Sequence, residues 1–295
     1  MIGHSHSDEI YSMIDRYEVN KETISKVKEI FASSDAILVG VGSGMSSAAG
    51  FNHYHDDENF RTHFSDYKEK YGINSMMDGY YHLFSLPEEE WAYYARYIQF
   101  MYDSPVGAPY EDLYRLLKGK NYFILTTNVD MQVPKVFPEE KICCFQGDFQ
   151  YFQCGQPCHD RIYPNEEQIR EMVEKTVNFR IPSKLIPRCP ECGWKMVPWV
   201  RDDTFLEGDY WRDAYQRYVT FVDKYIDQKL TLLELGVGEM TPSIIKLPFW
   251  EMVQKNENCF LINVTLDRTT PPLHIKNRNL NIQMDSGYFL RLIVK

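Results

Sequence analysis

The chain has 295 residues, of which 44% are hydrophobic and 15% aromatic, so it is long enough to bury a substantial core. Its formal net charge of -10 disfavours nucleic acid as a partner, because proteins that bind phosphate backbones usually carry a basic surface. No apolar run approaches the roughly 20 residues that a membrane-spanning helix needs, which argues against a membrane partner.

The first ten residues, MIGHSHSDEI, have neither the basic start nor the apolar stretch of a signal peptide, so we expect a cytoplasmic protein. In a reducing cytosol, clustered cysteines are more often metal ligands or catalytic thiols than disulfides. The odd count of seven cysteines indicates the same.

The first strong element is an apolar run over residues 36–39, which passes into a loop of small residues with glycine at positions 40, 42, 44 and 50. This pattern is typical of a buried strand that turns into a helix. Strand patterns recur at residues 122–125, in LTLLELGVGEM and in CFLINVTLD, each followed by polar or glycine-rich residues. They predict a parallel nucleotide-binding α/β sheet with its functional residues at the carboxyl ends of the strands.

Between the first two strands, residues 56–118 are rich in aromatic and charged residues. The segments EEEWAYYARYIQFMY and PYEDLYRLLKGK carry apolar residues at helical spacing, which predicts inserted helices whose aromatic stripe packs internally. From residue 149 to about residue 198 the strand pattern lapses into a stretch containing Cys and Pro around one helical run, NEEQIREMVEKT. This stretch would form a second lobe.

Four cysteines have the spacing of a metal site. Cys154 and Cys158 have three residues between them, while RCPECGW supplies Cys189 and Cys192 with two between them, followed by Gly193. Four thiolates suit a closed tetrahedral zinc site, and a zinc without an open position for water would be structural. The alternative, two pairs of buried cysteines without metal, fits the separation but not the Pro and Gly around them.

The loop GSGMSSAAGF offers glycines for close backbone approach, with Ser46 and Ser47 near a helix start, where unpaired amides favour a phosphate. Its spacing differs from the usual dinucleotide fingerprint, and such turns also occur purely for packing. Taken alone, the loop is a weak signal.

Taken in order, this loop, TTNVD, CFQG and the four cysteines resemble the sirtuin family from about residue 35 to the C terminus. The resemblance implies a Rossmann domain that binds NAD as co-substrate, an inserted lobe with a structural Zn²⁺, and a substrate that enters between them. The positions that match, or lie beside, the family's NAD-binding motifs are Gly42, Ser43, Gly44, Met45, Ser46, Gly50, Phe51, Tyr54, Thr127, Asn128, Asp130, Gln146, Gly236, Val237, Gly238, Asn263, Asp285 and Ser286.

The predicted fold class is therefore α/β, a Rossmann-like parallel sheet domain with an inserted smaller zinc-binding and helical lobe. We expect residues 1–295 to form a single sirtuin-type catalytic domain. Its large lobe would comprise about residues 1–55, 106–150 and 200–295. The small lobe would comprise about residues 56–105, which are helical, and 151–199, which bind zinc.

Two departures from the family pattern bear on the chemistry. Where most members read P-D-F-R, this chain reads NHYH at positions 52–55, and where the family's base reads H-G, it reads Gln146-Gly147. Sirtuin deacylation needs a base that takes a proton from a ribose hydroxyl, which an imidazole can do and a Gln amide cannot. Gln146 can still donate and accept hydrogen bonds, and so could orient the ribose hydroxyls or the acceptor.

The first half of the chemistry, in which nicotinamide leaves, does not need that base. Asn128 and Asp130 match the family's residues for this half. An acceptor that is already ionised at pH 7, such as a carboxylate, can attack ribose C1′ without a general base, which would give an ADP-ribosylated protein.

The pattern resembles the macrodomain-linked sirtuins, or SirTM class, which are protein mono-ADP-ribosyltransferases that also carry Gln in place of the base. This resemblance implies a lipoylated glycine-cleavage H-like carrier protein as the acceptor. It also implies a macrodomain hydrolase as the functional partner that reverses the modification.

Arg201, in MVPWVRDD, replaces an apolar residue of the strand that clamps the substrate peptide in sirtuins. It could pair with an acidic acceptor, or it could be a surface arginine balanced by Asp202 and Asp203. The residues predicted to act in catalysis are therefore Asn128, Asp130, Gln146 and Arg201.

Two other functions stay open at this point. The first is a residual deacylase or lipoamidase in which water, His53 or His55 replaces the missing base. The second is a non-catalytic sensor of NAD or ADP-ribose. The presence of both Asn128 and Asp130 argues against the sensor, because a pure binder needs no group that promotes the loss of nicotinamide.

Overall fold

The structure is a computed structural model that describes residues 21–295. Residues 1–20, which begin the predicted large lobe, lie outside the described part. The helices are α1 (Lys21–Ser33), α2 (Ser43–Ala48), α3 (Glu58–Tyr71), α4 (Met76–Tyr80), α5 (Pro87–Asp103), α6 (Ala108–Leu117), α7 (Glu166–Glu174), α8 (Asp209–Tyr225), α9 (Lys246–Lys255) and α10 (Ser286–Val294). The strands are β1 (Ala36–Val41), β2 (Tyr122–Thr126), β3 (Ile142–Cys144), β4 (Gly147–Cys154), β5 (Tyr163–Pro164), β6 (Met196–Val200), β7 (Leu230–Leu235), β8 (Phe260–Thr265) and β9 (Asn279–Gln283).

Six strands form one parallel sheet in the order β3-β2-β1-β7-β8-β9. Strands β1, β2 and β7 are buried along their whole length, since helices cover both faces of the sheet. Leu113 of α6 and Leu290 of α10 pack on one face, while Tyr218 of α8 and Phe249 of α9 pack on the other. This arrangement confirms the predicted Rossmann-like α/β class, and the four predicted apolar runs are β1, β2, β7 and β8.

Strand β1 lies between β2 and β7, so the chain changes direction across the sheet at this point. In an open parallel sheet, the crevice outside the carboxyl ends of the strands at such a switch point is the usual ligand site. The loops that follow β1, β2 and β7 are therefore the parts of the fold that position the site.

The small lobe contains a three-stranded antiparallel sheet in the order β5-β4-β6. The prediction that strand structure lapses from residue 149 to about residue 198 is therefore wrong at both ends of this segment. The register between β4 and β6 shifts between Gly147 and Phe152. This irregularity interrupts the two-residue alternation by which a strand is recognised in a sequence.

One hydrophobic core joins the helical and the zinc-containing parts of the small lobe. Phe64 of α3 and Tyr93 of α5 share it with Phe152 of β4, Ile169 of α7 and Cys189. The two inserted segments therefore pack as one body. Helix α6, by contrast, lies in the core of the large lobe.

The aromatic stripe predicted to pack internally is almost entirely buried. Trp91, Tyr97 and Ile98 of α5 are at most 3% exposed, and Tyr94 is half-buried. Among the helices of residues 21–295, none has both the length and the apolar character to cross a membrane.

Candidate active site

A cavity of about 390 Å³ lies between the large lobe and the small lobe. The loops after β1, β2 and β7 form one side of it, and residues of the small lobe form the other. The structure thereby brings together residues that are up to about two hundred positions apart in the chain. The predicted site residues that line the cavity are Gly42, Ser43, Ser46, Phe51, Tyr54, Thr127, Asn128, Asp130, Gln146, Arg201, Val237 and Gly238.

Two glycine turns meet in direct backbone contact below this cavity. A Cβ atom on Gly44 would lie 2.7 Å from the Cα atom of Gly236, and one on Gly42 would lie 2.6 Å from its carbonyl oxygen. Gly236 also has a φ of 62°, which favours glycine. The glycines therefore let the loops after β1 and β7 approach each other, and only Gly42 among these three lines the cavity.

Asn128 and Asp130 are connected through one serine hydroxyl. The Asn128 side-chain amide donates to the carbonyl oxygen of Gly42 at 2.9 Å and to Ser46 Oγ at 3.0 Å. Ser46 Oγ in turn donates to Asp130 Oδ2 at 2.5 Å. Gly42, which follows β1, and Ser46 of α2 thus fix the orientation of the Asn128 and Asp130 side chains in the loop after β2.

Asp130 is 6% exposed and stays acidic in this environment. Burial alone would raise its pKa, but interaction with His53 and hydrogen bonds from Ser46 and the Gln132 backbone amide bring the pKa below its ordinary value. His53 Nε2 lies 3.7 Å from Asp130 Oδ2. The site therefore holds a buried negative charge beside the cavity.

Gln146 and Arg201 lie side by side where β4 and β6 pair. The Arg201 backbone amide donates to the Gln146 carbonyl oxygen at 2.9 Å. The Arg201 guanidinium pairs with Glu207 at 2.7 Å and lies over the ring of Phe205, 4.2 Å from its centroid. Neighbouring residues therefore hold this guanidinium in a fixed position, and its ion pair is with Glu207 rather than with an adjacent aspartate.

Seven predicted residues do not line the cavity. Asn263 of β8 is 1% exposed, and its side-chain amide donates to Glu234 of the neighbouring strand β7 at 2.6 Å; burial raises the pKa of Glu234 to about 7. Asp285 caps α10 by accepting from the Tyr288 backbone amide. Their assignment to NAD binding stays a prediction, as does that of Gly44, Met45, Gly50, Gly236 and Ser286.

The cavity also contains residues that the sequence did not assign to it. Asp267 could have been identified from the sequence, because it is a polar residue that follows a predicted strand, β8. Tyr97 gave no such signal, because helical periodicity indicates packing and cannot tell a core ring from a cavity wall. The unassigned lining residues are Ser47, His53, Met77, Tyr80, Tyr81, Tyr97, Val129, Phe149, Val200, Glu239, Met240, Thr241 and Asp267.

The four cysteines of the small lobe converge on one point. Their Sγ atoms all lie within 4.8 Å of one another, with Cys154 and Cys192 at 3.6 Å and Cys158 and Cys189 at 3.7 Å. A tetrahedral zinc with bonds of about 2.3 Å places its sulfur ligands about 3.8 Å apart, so the cluster fits a structural Zn²⁺. Gly193, at a φ of 71°, forms the predicted tight turn.

No protein-family model matches this chain. Over 256 residues, 85% of the chain, it is 34% identical to the protein ADP-ribosyltransferase of Staphylococcus aureus (strain Mu50 / ATCC 700699), and the match covers 81% of that protein. It is also 27% identical over 272 residues to a probable bifunctional ADP-ribose hydrolase/ADP-ribosyltransferase of Fusarium oxysporum f. sp. cubense. That match covers 87% of the chain and only 44% of the fungal protein.

Solved sirtuin structures share the fold. A Sir2 homologue in complex with NAD has a TM-score of 0.61 at 16% identity, with 92% of each chain covered. Sir2Tm bound to a propionylated peptide has a TM-score of 0.58 at 16% identity, with 91% of this chain and 95% of that chain covered. These structures and the match to the staphylococcal enzyme together show that the chain belongs to the sirtuin family, in the SirTM-type class of NAD-dependent protein ADP-ribosyltransferases.

Proposed function

We propose that this chain transfers ADP-ribose from NAD to a lipoylated glycine-cleavage H-like carrier protein and releases nicotinamide. The observation that carries the proposal is the pairing of Gln146 with Arg201 at the cavity. In the pattern of sirtuin deacylases a histidine base stands where this chain has Gln146. The cavity is therefore suited to an acceptor that needs no deprotonation.

In the first half of the reaction, the bond between ribose C1′ and the nicotinamide nitrogen breaks. Its electron pair leaves with nicotinamide, and positive charge develops on the ribose. We assign to Asp130 the stabilisation of this charge, because a buried carboxylate acts strongly on a developing positive charge in a site that excludes water. Asn128, held by Gly42 and Ser46, orients the leaving end of NAD.

In the second half, an acceptor carboxylate attacks C1′ and forms the new glycosidic ester. An ionised carboxylate has no proton to lose, so atoms and charges balance without a general base. Gln146 then positions the ribose hydroxyls or the acceptor through hydrogen bonds. The guanidinium of Arg201, held by Glu207 and Phe205, pairs with acidic groups of the acceptor.

One observation favours a second candidate, an NAD-dependent deacylase or lipoamidase. His53 lines the cavity, and its Nε2 atom has no hydrogen-bond partner among the described residues. An imidazole in this position is a candidate for the missing base. His55 is exposed and lies outside the cavity lining, so it does not support this candidate. The third candidate, a sensor of NAD or ADP-ribose, does not account for the hydrogen bonds that keep Asp130 ionised, because binding alone does not need this charge.

A macrodomain ADP-ribosyl hydrolase would reverse the modification, and both proteins would act in the cytoplasm. The name of the fungal relative, which combines an ADP-ribose hydrolase with an ADP-ribosyltransferase, supports this partnership. The absence of a membrane-spanning helix among residues 21–295 is compatible with the proposed cytoplasmic location.

The test is an incubation with NAD labelled in the adenosine part, together with the carrier protein in lipoylated and unlipoylated forms. We expect label on the lipoylated carrier, none on the unlipoylated form, and release of label from protein when a macrodomain hydrolase is added. Free O-acyl-ADP-ribose without labelled protein would establish the deacylase instead. Binding of NAD without release of nicotinamide would establish the sensor.

A further inference from the structure

A histidine and a tyrosine connect the small lobe to the catalytic carboxylate. Residues of this chain thus form a path from Tyr97 of α5 through His53 to Asp130. We propose that His53 is a positioning residue that keeps Asp130 ionised and oriented toward the cavity, and that Tyr97 fixes the tautomer of His53 that does so. The proposal gives His53 and Tyr97 a role in the release of nicotinamide. It rests on the function proposed above for Asp130 and does not depend on the identity of the acceptor.

The hydrogen bonding of the imidazole defines this role. His53 Nδ1 lies 2.9 Å from the Tyr97 hydroxyl, and the side chain of His53 is 8% exposed. Burial raises the pKa of Tyr97 well above its ordinary value, so the hydroxyl keeps its proton, and in the proposed arrangement it donates to Nδ1. The proton of a neutral imidazole then lies on Nε2, the nitrogen that faces Asp130 at 3.7 Å.

A second buried aspartate of this chain provides an internal comparison. Asp148 is 2% exposed, against 6% for Asp130, and burial raises its pKa to about 7. Its Oδ1 atom accepts from the Gln150 backbone amide, but Asp148 has no histidine beside it among the described residues. The pKa of Asp130, by contrast, lies below its ordinary value. Among the effects that lower it, the largest is the interaction with His53.

Other titratable groups surround this pair. The ammonium of Lys135 donates to backbone carbonyl oxygens of Met101 and Ser104, at 2.6 and 2.7 Å, and is therefore committed to α5 and the residue after it. The tyrosine side chains near Asp130 have raised pKa values, so they are protonated and carry no charge. The groups that face the His53–Asp130 pair are Tyr54, Tyr97 of α5, Tyr110 of α6, Lys135, Cys144 of β3 and Asp148.

The consequence for the reaction follows from the charge on Asp130. A neutral carboxyl cannot stabilise positive charge on the ribose, so activity is lost as the pH falls through the pKa of Asp130. In the wild-type chain that loss lies below the ordinary range of an aspartate. Without His53, only the hydrogen bonds from Ser46 and the Gln132 backbone amide oppose the effect of burial, so the loss moves up in pH.

The test compares His53→Gln with His55→Gln, a matched control at an exposed residue two positions away. Nicotinamide release from NAD is measured between about pH 5 and pH 9, with and without acceptor protein. For His53→Gln we expect kcat near pH 7 to fall by about tenfold and KM for NAD to change less than about threefold. We also expect an acid limb to enter the measured pH range, in which the wild type has none that belongs to Asp130. His55→Gln should leave rate and profile as in the wild type.

Tyr97→Phe is the second variant, and it keeps the test valid if His53→Gln does not fold. Loss of the hydroxyl frees the imidazole to change tautomer, so we expect the acid limb to move in the same direction by a smaller amount. An unchanged pH profile in a folded His53→Gln or Tyr97→Phe protein would overturn the proposal. An equal effect of His55→Gln would also overturn it.

Discussion

Gln146→Ala is expected to lower kcat for ADP-ribosyl transfer by about tenfold to a hundredfold without unfolding the protein. The position of the backbone does not depend on the side chain, because the Gln146 carbonyl oxygen accepts from the Arg201 amide at 2.9 Å, and the substitution leaves both backbone groups in place. The substitution therefore removes only the hydrogen bonds that we propose the side chain makes to the ribose hydroxyls or the acceptor. One or two such bonds, at about 1 to 1.5 kcal/mol each, correspond to this range of rates.

The assay is transfer of label from NAD to the acceptor, measured across pH for the wild type and the Ala variant. An amide does not titrate, so neither protein should have a limb near pH 6.5 that belongs to this position. A wild-type rate in the Ala variant would refute the positioning role of Gln146. A limb near pH 6.5 that disappears in that variant would do so as well.

Gln146→His tests the acceptor end of the same argument. The variant restores an imidazole, but the guanidinium of Arg201 still lies over Phe205 and beside Glu207. This is the part of the cavity where we propose that the acceptor binds. We therefore expect Gln146→His to remain a poor deacetylase toward acetyl-lysine peptides. Robust deacetylation by this single variant would favour a deacylase as the present function.

Three further predictions concern the nicotinamide end, the metal and the pH dependence of stability. Asn128→Ala and Asp130→Ala should each lower transfer on the order of a hundredfold or more in a folded protein, and activity within a few-fold of wild type would place the site elsewhere. Metal analysis should find about one zinc per chain, and Cys189→Ser should lose the zinc and much of the thermal stability, whereas Cys259→Ser, at a buried cysteine outside the cluster, should keep the zinc. Because the pKa of Asp148 in the folded protein, about 7, lies above its ordinary value, its contribution to stability is present at low pH and lost as the pH rises through about 7. Asp148→Asn should therefore show a smaller fall in Tm from about pH 5 to about pH 8 than the wild type, and an equal fall would contradict this assignment.

The sequence contained enough information to predict the parallel sheet from four of its six strands, and to predict the metal ligands. A parallel strand buried on both faces is mostly apolar, so β1, β2, β7 and β8 appear as apolar runs with few polar residues, such as Glu234 and Asn263. Zinc ligands obey a similar local rule, because each pair of cysteines is held by one short turn. The spacing within each pair therefore predicts the cluster before the two pairs are known to meet.

Irregular and long-range features needed the structure. The shifted register between β4 and β6 hides β4 from a two-residue pattern. Likewise, MVPWVRDD left the ion pair of Arg201 open between neighbouring aspartates and an acceptor. The fold places Glu207 at 2.7 Å from its guanidinium and Phe205 beneath it.

By itself, then, the sequence determined the α/β class, the zinc ligands and the absence of a histidine at position 146, since each depends on residue types at fixed short spacing. Only the tertiary structure decided which polar groups surround Asp130. Ser46 and His53 reach it directly, and Tyr97, from a distant part of the chain, reaches it only through His53. The physical reason is that burial and neighbouring charge set the ionisation of a carboxylate, and both depend on which segments the fold brings together.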